Sequence, residues 1–562
     1  MALPAPASIA HSIEALRARI DAGELAIAQE SLEALRGRYR ADPNAFQKAS
    51  LEALKALSET LRLRRLLKDT FGYGSFRPGQ EEVIRAVLAG RDALAVMPTG
   101  SGKSLLYQLP ARILGGTTLV ISPLIALMKD QVDALVEGGL RATFLNSSLS
   151  AEERRERIQG LHRGEYELVY AAPEGLEQSV GPLLERLDLK FIAVDEAHCI
   201  SHWGHDFRPA YRNLAALKER FAGLPILALT ATATDAVAKD IREQLAMKDP
   251  LIVRGSFFRS NLHIHTFKKG GEGPPVREAI LRLVQARRDQ SGIVYCLSRK
   301  SVEGTADYLK QNGVRAKAYH AGLPAAEREA VQEAFRRDDI DVVVATIAFG
   351  MGIDKSNVRF VIHRDLPKSL EGYSQEIGRG GRDGADADCV LFYSWADVMS
   401  LDRFSDDQEG ELVEIQRRQI REAFRFAESA SCRHQQLARH FGESIGACKA
   451  SCDVCTGRDL LAEAPKRAKL ARVKSGEPLR APDPIPVEGE EALYLSLKAL
   501  RKRLADERGV PAYVVFTDAT LQAMARFRPT TAEHFLALSG VGLKKLEQYG
   551  EAFLAEIRAA ES

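Results

Sequence analysis

The chain has 562 residues, 45% of them hydrophobic and 27% charged, enough for several cores and unlike a disordered or collagen-like chain. Its formal net charge of +2 leaves nucleic-acid binding open, because basic residues can be confined to one groove. No apolar run approaches membrane-spanning length and no basic segment followed by an apolar core opens the chain, so a cytoplasmic protein without a membrane partner is expected.

Residues 1–66 read as helix, with apolar positions at helical spacing in Ile13, Leu16 and Ile20 and again in Leu51, Leu54, Leu57 and Leu61. Pro43 separates two hairpin arms. The segment is either an appendage for a protein partner or a helical pair docked on the next domain. From 67 to 395, short apolar runs alternate with helical patterns. Five of them, Ala93–Met97, Thr118–Ser122, Leu168–Ala171, Phe191–Val194 and Ile226–Thr230, precede a glycine, proline and lysine-bearing stretch at 255–275. Five more follow at Gly292–Cys296, Ala316–Tyr319, Val342–Thr346, Phe360–His363 and Cys389–Tyr393. This alternation predicts two similar α/β lobes with parallel sheets, joined at a hinge.

Three segments carry nucleotide chemistry. Phe71–Gln80 offers Tyr73 and Arg77 to stack on a purine and the Gln80 amide to pair with its edge. Alone, that stretch is also a turn before a helix. Met97–Ser104 follows a strand and precedes a helix. Its residues Thr99, Gly100, Ser101 and Gly102 let backbone N–H groups approach phosphate, Lys103 neutralises the β/γ charge, and Ser104 can ligate magnesium. Asp195 and Glu196 end the apolar run Phe191–Val194, where a metal-holding acid and a water-orienting base are needed. Directly after them come Trp203, His205, Phe207 and Arg208, aromatic and basic residues suited to stacking on bases and holding phosphates.

Seven cysteines occur, and four cluster. Fifteen residues separate Cys432 from Cys448, three separate Cys448 from Cys452, and two separate Cys452 from Cys455. Four thiolates so spaced suit tetrahedral Zn2+, a disulfide pair being the other use. His434 and His440 stay outside the set, since four cysteines fill it. Cys199, Cys296 and Cys389 read as buried small hydrophobes. Residues 457–488 are proline-rich and basic without apolar period and read as a linker. From 489 short amphipathic helices return. There a glycine turn before Lys544 and Lys545 is either a phosphate site at a helix start or a tight turn with solvated lysines.

The ordered blocks Phe76–Gln80, Met97–Ser104, Ser122–Gln131, Asp195–Pro209, Thr230–Thr234, Ala345–Lys355 and Gln375–Gly384 resemble the RecQ family of superfamily 2 DNA helicases, and the last segment resembles that family's HRDC domain. The resemblance implies two RecA-like lobes, a small helical zinc module and a C-terminal helical bundle. It divides the chain into 1–66, 67–262, 263–395, 396–458, 459–488 and 489–562. It implies that Tyr73, Arg77 and Gln80 hold adenine, that Gly350, Asp354 and Gln375 line the nucleotide, and that Arg382, supported by Arg379, reaches the γ-phosphate from the second lobe. It places Trp203, His205, Phe207 and Arg208 in a loop sensing single-stranded DNA, with Ser122, Lys129 and Thr232 on the DNA backbone. The finger block departs from the family wording at Ser374 and Gly380. The expected protein is an ATP-dependent, Mg2+-requiring DNA helicase moving 3′ to 5′ in repair or recombination, acting on single-stranded and partly duplex DNA. Relatives commonly carry a winged helix between the zinc module and HRDC, and the stretch 457–488 leaves no room for one. The second reading is therefore a DNA-stimulated translocase or remodelling scaffold with weak strand separation.

Overall fold

The computed structural model describes residues 8–123, 125–178, 181–201, 208–221, 223–270, 273–346, 349, 355–403, 411–464 and 490–560. Two compact units emerge: Met1–Pro78 with Ala523–Ser562, and Gly79–Gln522.

In the first unit the N-terminal segment is three helices rather than two arms: α1 Ile9–Asp21, α2 Leu25–Ala41 and α3 Lys48–Phe71. The additional break falls at Gly23, whose φ of 78° ends the first helix in a conformation that glycine adopts without strain. Leu16, Ile20, Leu32, Leu35, Leu57 and Leu61 form one core among the three helices. α3 runs beyond residue 66 to a left-handed Gly72. A Cβ at Gly72 would stand 2.8 Å from the Gly542 nitrogen, so the glycine turn at 540–542 packs directly on the end of α3. Lys68 Nζ also donates to the Leu536 carbonyl at 2.7 Å. The N-terminal helices thus have a docking partner within their own chain.

In the second unit, two parallel sheets follow one another. The first is seven-stranded: β1 Ala93–Val96, β2 Thr117–Ile121, β3 Ala142–Leu145, β4 Leu168–Ala171, β5 Leu189–Val194, β6 Ile226–Thr230 and β7 Leu251–Arg254, in the order β3-β4-β2-β5-β6-β1-β7. The central strands are buried along their whole length, which is why they read as continuous apolar runs. The second is six-stranded: β8 Leu262–Lys268, β9 Ser291–Tyr295, β10 Ala316–Tyr319, β11 Val342–Ala345, β12 Val358–His363 and β13 Ala387–Tyr393, in the order β10-β11-β9-β12-β13-β8.

Three strands escaped the sequence reading. β3 and β7 are four residues each, β3 has no long apolar run around it, and β7 is largely exposed. β8, Leu-His-Ile-His-Thr-Phe-Lys, alternates polar and apolar residues and occupies much of the stretch expected to be the hinge. The connection between the sheets is consequently shorter, from Gly255 to Asn261. The zinc module shares the second lobe's core, with Leu262, Tyr373, Phe424, Cys432 and Cys452 in one cluster. The linker begins later than expected, because Leu460–Glu463 is a helical turn whose buried Leu460 packs with the helix Val276–Gln285. Residues 465–489 lie outside the described residues. Among the described residues no helix is long and apolar enough to cross a membrane.

Candidate active site and zinc centre

β5, β6 and β1 are neighbours, with Val194 opposite Ala228 and Val96 opposite Thr230. Their carboxyl ends carry, side by side, the acids, the Thr230–Thr234 turn and the phosphate loop. That is where parallel sheets bind ligands.

Lys103 stands just before the helix Leu105–Leu114. Its Nζ donates to the carbonyls of Met97 at 3.0 Å and Pro98 at 3.3 Å. Burial lowers its pKa, and the charges of Glu196 and Asp195 act against that. The ammonium therefore sits on the loop's own neutral carbonyls, acceptors weaker than a phosphate oxygen. Gln80 is 3% exposed, and its amide donates to the Ser101 carbonyl at 3.0 Å and the Gly102 carbonyl at 3.2 Å. It braces the phosphate loop. Tyr73 and Arg77 are exposed and belong to the other compact unit.

Asp195 is 9% exposed. Its N–H bonds the Ile121 carbonyl, and its carbonyl accepts the Tyr211 hydroxyl at 2.9 Å. Burial and then the Glu196 charge push its pKa up to about 7, while Lys103 pulls it down. A bound cation would hold such an acid fully ionised, so its chemistry fits a magnesium ligand. Glu196 has φ 48° and ψ 44°, a left-handed backbone that costs roughly 1–2 kcal/mol for a residue with a side chain. Strain of this kind collects at functional sites. Its buried Oε2 lies 3.4 Å from His198 Nδ1. The same ring nitrogen lies 3.0 Å from Thr230 Oγ1, which accepts the Thr232 N–H at 3.2 Å. His198 thus joins the acids of β5 to the turn after β6. Sequence reasoning missed it, since its only signal was its place two residues beyond Glu196.

From the second lobe, the helix Leu370–Ile377 ends in the turn that bears Arg379 and Arg382. Arg379 is 6% exposed. Arg382 Cγ lies 3.4 Å from where a Cβ on Gly100 would stand, so this side chain packs on the phosphate loop, and its charge acts on Lys103. Gln375 is half-buried on the same helix. Beneath the turn, Arg359 grips Asp383 and reaches Asp518 at 3.2 Å, and Arg501 pairs with Asp518 at 2.8 Å. This buried chain of charges ties Arg501 of the helix Glu490–Arg508, through Asp518, to the finger turn, and no motif announced it. Gly350 and Asp354 lie outside the described residues.

Of the residues expected to meet DNA, Trp203, His205 and Phe207 also lie outside the described residues. Arg208 donates to the Pro123 carbonyl at 2.9 Å, linking the end of the acidic-aromatic run to the segment after β2. Lys129 is exposed, whereas Ser122 and Thr232 are buried. Lys544 and Lys545 open the helix Leu543–Ala559 and are half-buried.

The sulfur atoms of Cys432, Cys448, Cys452 and Cys455 all lie within 4.8 Å of one another. Burial opposes ionisation of Cys432, but backbone donors from Cys448 and Gln435 bring its pKa down to about 7. This convergence of four thiols fits tetrahedral zinc. His434 bonds the carbonyls of Leu262 and Ser451, and His440 bridges Glu371 and Glu422, so neither joins the set. The module is fixed to the second lobe by Asp453, which accepts the Thr266 N–H at 3.0 Å and is itself held by Arg433 of the module at 2.9 Å. Cys199, Cys296 and Cys389 are buried as expected.

Two parallel-sheet lobes, a phosphate loop in the first, arginines from the second against it and a four-cysteine centre behind define a nucleotide-driven helicase motor. Family models match in the same order: DEAD/DEAH box helicase over 77–241, helicase conserved C-terminal domain over 275–384, RecQ zinc-binding over 395–456 and HRDC domain over 490–557. The chain is 39% identical to the ATP-dependent DNA helicase RecQ of Pasteurella multocida, over 88% of this chain and 93% of that protein. It is 40% identical to the Haemophilus influenzae protein of the same name, over 88% and 95% respectively, and 37% identical to that of Bacillus subtilis, over 89% and 98%. The chain belongs to the RecQ family of ATP-dependent DNA helicases. The Pasteurella alignment spans 591 positions while using 88% of this 562-residue chain, so roughly a hundred positions, the size of one small domain, have no residue opposite them here.

Proposed function

We propose that this RecQ-family helicase couples ATP hydrolysis to 3′ to 5′ movement along single-stranded DNA, in the cytoplasm, in the service of DNA repair or recombination. The observation that carries the reading is the meeting of Lys103, Asp195, Glu196 and Arg382 around one phosphate loop. Lys103 exchanges the Met97 and Pro98 carbonyls for the β- and γ-phosphates. Glu196, held beside His198, orients the attacking water and takes its proton as oxygen bonds to the γ-phosphorus and the bridge to the β-phosphate breaks. Arg382 stabilises the charge that builds on the transferred group, and Arg379 supports it. Asp195 and Ser104 would hold magnesium, which would supply neutralisation of phosphate charge. Tyr73, Arg77 and Gln80 receive adenine, with Gln80 leaving the phosphate loop as nucleotide enters. Gly350, Asp354 and Gln375 complete the nucleotide site.

On the DNA side we propose Trp203, His205, Phe207 and Arg208 as the sensing loop, Ser122, Lys129 and Thr232 as strand contacts, and Lys544 and Lys545 as an accessory phosphate contact. The four cysteines hold a structural zinc. Thirty-four residues separate Cys455 from Glu490, too few for an inserted winged helix. Strand separation then relies on another wedge.

The test measures ATP hydrolysis and strand displacement on one set of duplexes with 3′ or 5′ single-stranded tails. Displacement of 3′-tailed duplexes alone is the expected result. Turnover without displacement selects the translocase, and absence of DNA-stimulated turnover ends the reading.

A further inference from the structure

Arg259 lies on the segment between β7 and β8, the covalent connection of the two lobes. Its Nη1 donates to the carbonyls of Thr99 at 3.3 Å and Gly378 at 3.0 Å. Its Nη2 donates to the carbonyls of Gly380 at 2.9 Å and Gly381 at 2.6 Å. One acceptor belongs to the phosphate loop, and three belong to the turn bearing Arg379 and Arg382. The Gly378 carbonyl, at the C-cap of the helix Leu370–Ile377, lacks an intrahelical donor and carries the negative end of the helix dipole, so it attracts a cation. The planar fork of the arginine serves four carbonyls from two separate nitrogens, whereas a lysine has three donors at a single point.

The turn leaves little slack. Asn261 donates to the carbonyls of Gly381 at 2.9 Å and Ala385 at 2.8 Å. Gly381 has φ +52°, and a Cβ there would stand 2.3 Å from the Ala385 oxygen and 2.5 Å from Asn261 Nδ2. Gly378 lies so near the phosphate loop that its Cβ would come 2.8 Å from Thr99 Cβ. A Cβ on Gly100 would meet Arg259 Nη1 at 3.2 Å and Arg382 Cγ at 3.4 Å. Arg259 and the finger Arg382 therefore flank the same glycine.

We infer that Arg259 is a positioning residue for the arginine finger, a latch on the inter-lobe connection that ties the finger turn to the phosphate loop through Thr99. The inference rests on the ATP-hydrolysis reading above. Four donor contacts of its guanidinium go to backbone carbonyls, so it acts through Arg382 and not on the nucleotide. Three contacts move with the finger turn as one body. The longest, to Thr99, is the one that lobe motion makes or breaks.

The experiment compares full-length wild type, Lys103→Ala, Arg259→Ala, Arg259→Lys and Asn261→Ala in steady-state ATP hydrolysis with saturating single-stranded DNA, beside DNA-binding measurements. Misplacing a group by about 1 Å costs on the order of 100-fold, so Arg259→Ala should lower kcat by roughly 10- to 100-fold. KM for ATP and DNA affinity should stay unchanged. Arg259→Lys, which keeps the charge and loses the fork, should recover little of the rate, and Asn261→Ala should lower kcat in the same direction. No turnover by the wild type would defeat the site reading itself. With an active wild type, an Arg259→Ala kcat equal to wild type, a loss expressed as raised KM, or full activity in Arg259→Lys each overturns the latch. If Arg259→Ala yields no folded protein, Asn261→Ala decides, and an unchanged kcat there overturns the inference.

Discussion

At the scale of residues, the site is a set of charges gathered around the phosphate loop. Lys103 rests on neutral carbonyls, so Lys103→Ala should remove little folding stability and most of the turnover. A loss of at least 100-fold in hydrolysis is expected, as for removal of one preorganised phosphate-binding group, with single-stranded DNA affinity retained in a fluorescence-anisotropy titration. An equal loss of both would contradict its assignment. His198 is a different case, because it touches Glu196 and Thr230. Replacing it with alanine frees the strained Glu196 to relax, and kcat should fall at least tenfold, within the range attributed to a positioned general base. ATP affinity should hold, and steady-state kinetics separate the two. Lys103 and the acids were legible in the sequence because phosphate and metal chemistry restrict residue type and spacing. His198 and Arg259 were not, since neither a histidine just after the acids nor an arginine in a connection says by itself what it will touch. Their partners are brought to them only by the sheet order and by lobe contact.

At the scale of elements, two helices depend on buried charges. The helix Leu370–Ile377 begins against the zinc module through Glu371, which meets His440 Nε2 at 2.9 Å, while His440 Nδ1 meets Glu422 at 2.9 Å. Burial works against a charge on His440, yet the two carboxylates raise its pKa to about 9. A histidine raised on folding contributes its stability in full below its unfolded pKa of about 6.5 and loses it as pH climbs through the folded value. The shift from about 6.5 corresponds to an order of 3 kcal/mol. The thermal midpoint of wild type should therefore fall toward that of His440→Gln as pH rises from about 7 to about 10. Parallel curves would show that the bridge carries no titrating charge.

The helix Glu490–Arg508 is held by Arg501 on Asp518, and Asp518 in turn meets Arg359. Asp518→Ala leaves two buried guanidinium groups without it, a loss on the order of 3–5 kcal/mol for a broken buried pair. Amide exchange within residues 490–522 should accelerate while β9 and β12 stay protected, and unchanged exchange would show that the helix is anchored elsewhere. Central strands were visible from composition because burial on both faces leaves few polar residues. β8 was hidden because it alternates like a half-exposed strand and is rich in the residues expected of a hinge.

For the whole molecule, the sequence conveyed a two-lobed motor with a cysteine centre, and the structure adds how the parts are fastened. The zinc module shares a core with the second lobe, so metal is expected to support that lobe as well. Stripping zinc with a chelator, or Cys452→Ser, should lower zinc content and the thermal midpoint together. A zinc-depleted chain with an unaltered midpoint would detach the metal from folding. Binding of structural zinc is worth about 10–16 kcal/mol in small domains, enough to decide whether the module stays in place.

The attachment of that module to β8 has one more consequence. β8 is the last strand of its sheet, and its outward backbone groups are occupied by the module: the Ile264 N–H bonds the Ser451 carbonyl at 3.0 Å, Cys452 forms a parallel bridge with Ile264, and the Thr266 N–H is taken by Asp453. A sheet margin with free donors and acceptors is a template for another chain. The cysteine centre therefore also works as a guard against self-association. Metal loss should show itself first as concentration-dependent clumping through β8, before the motor has lost its nucleotide site.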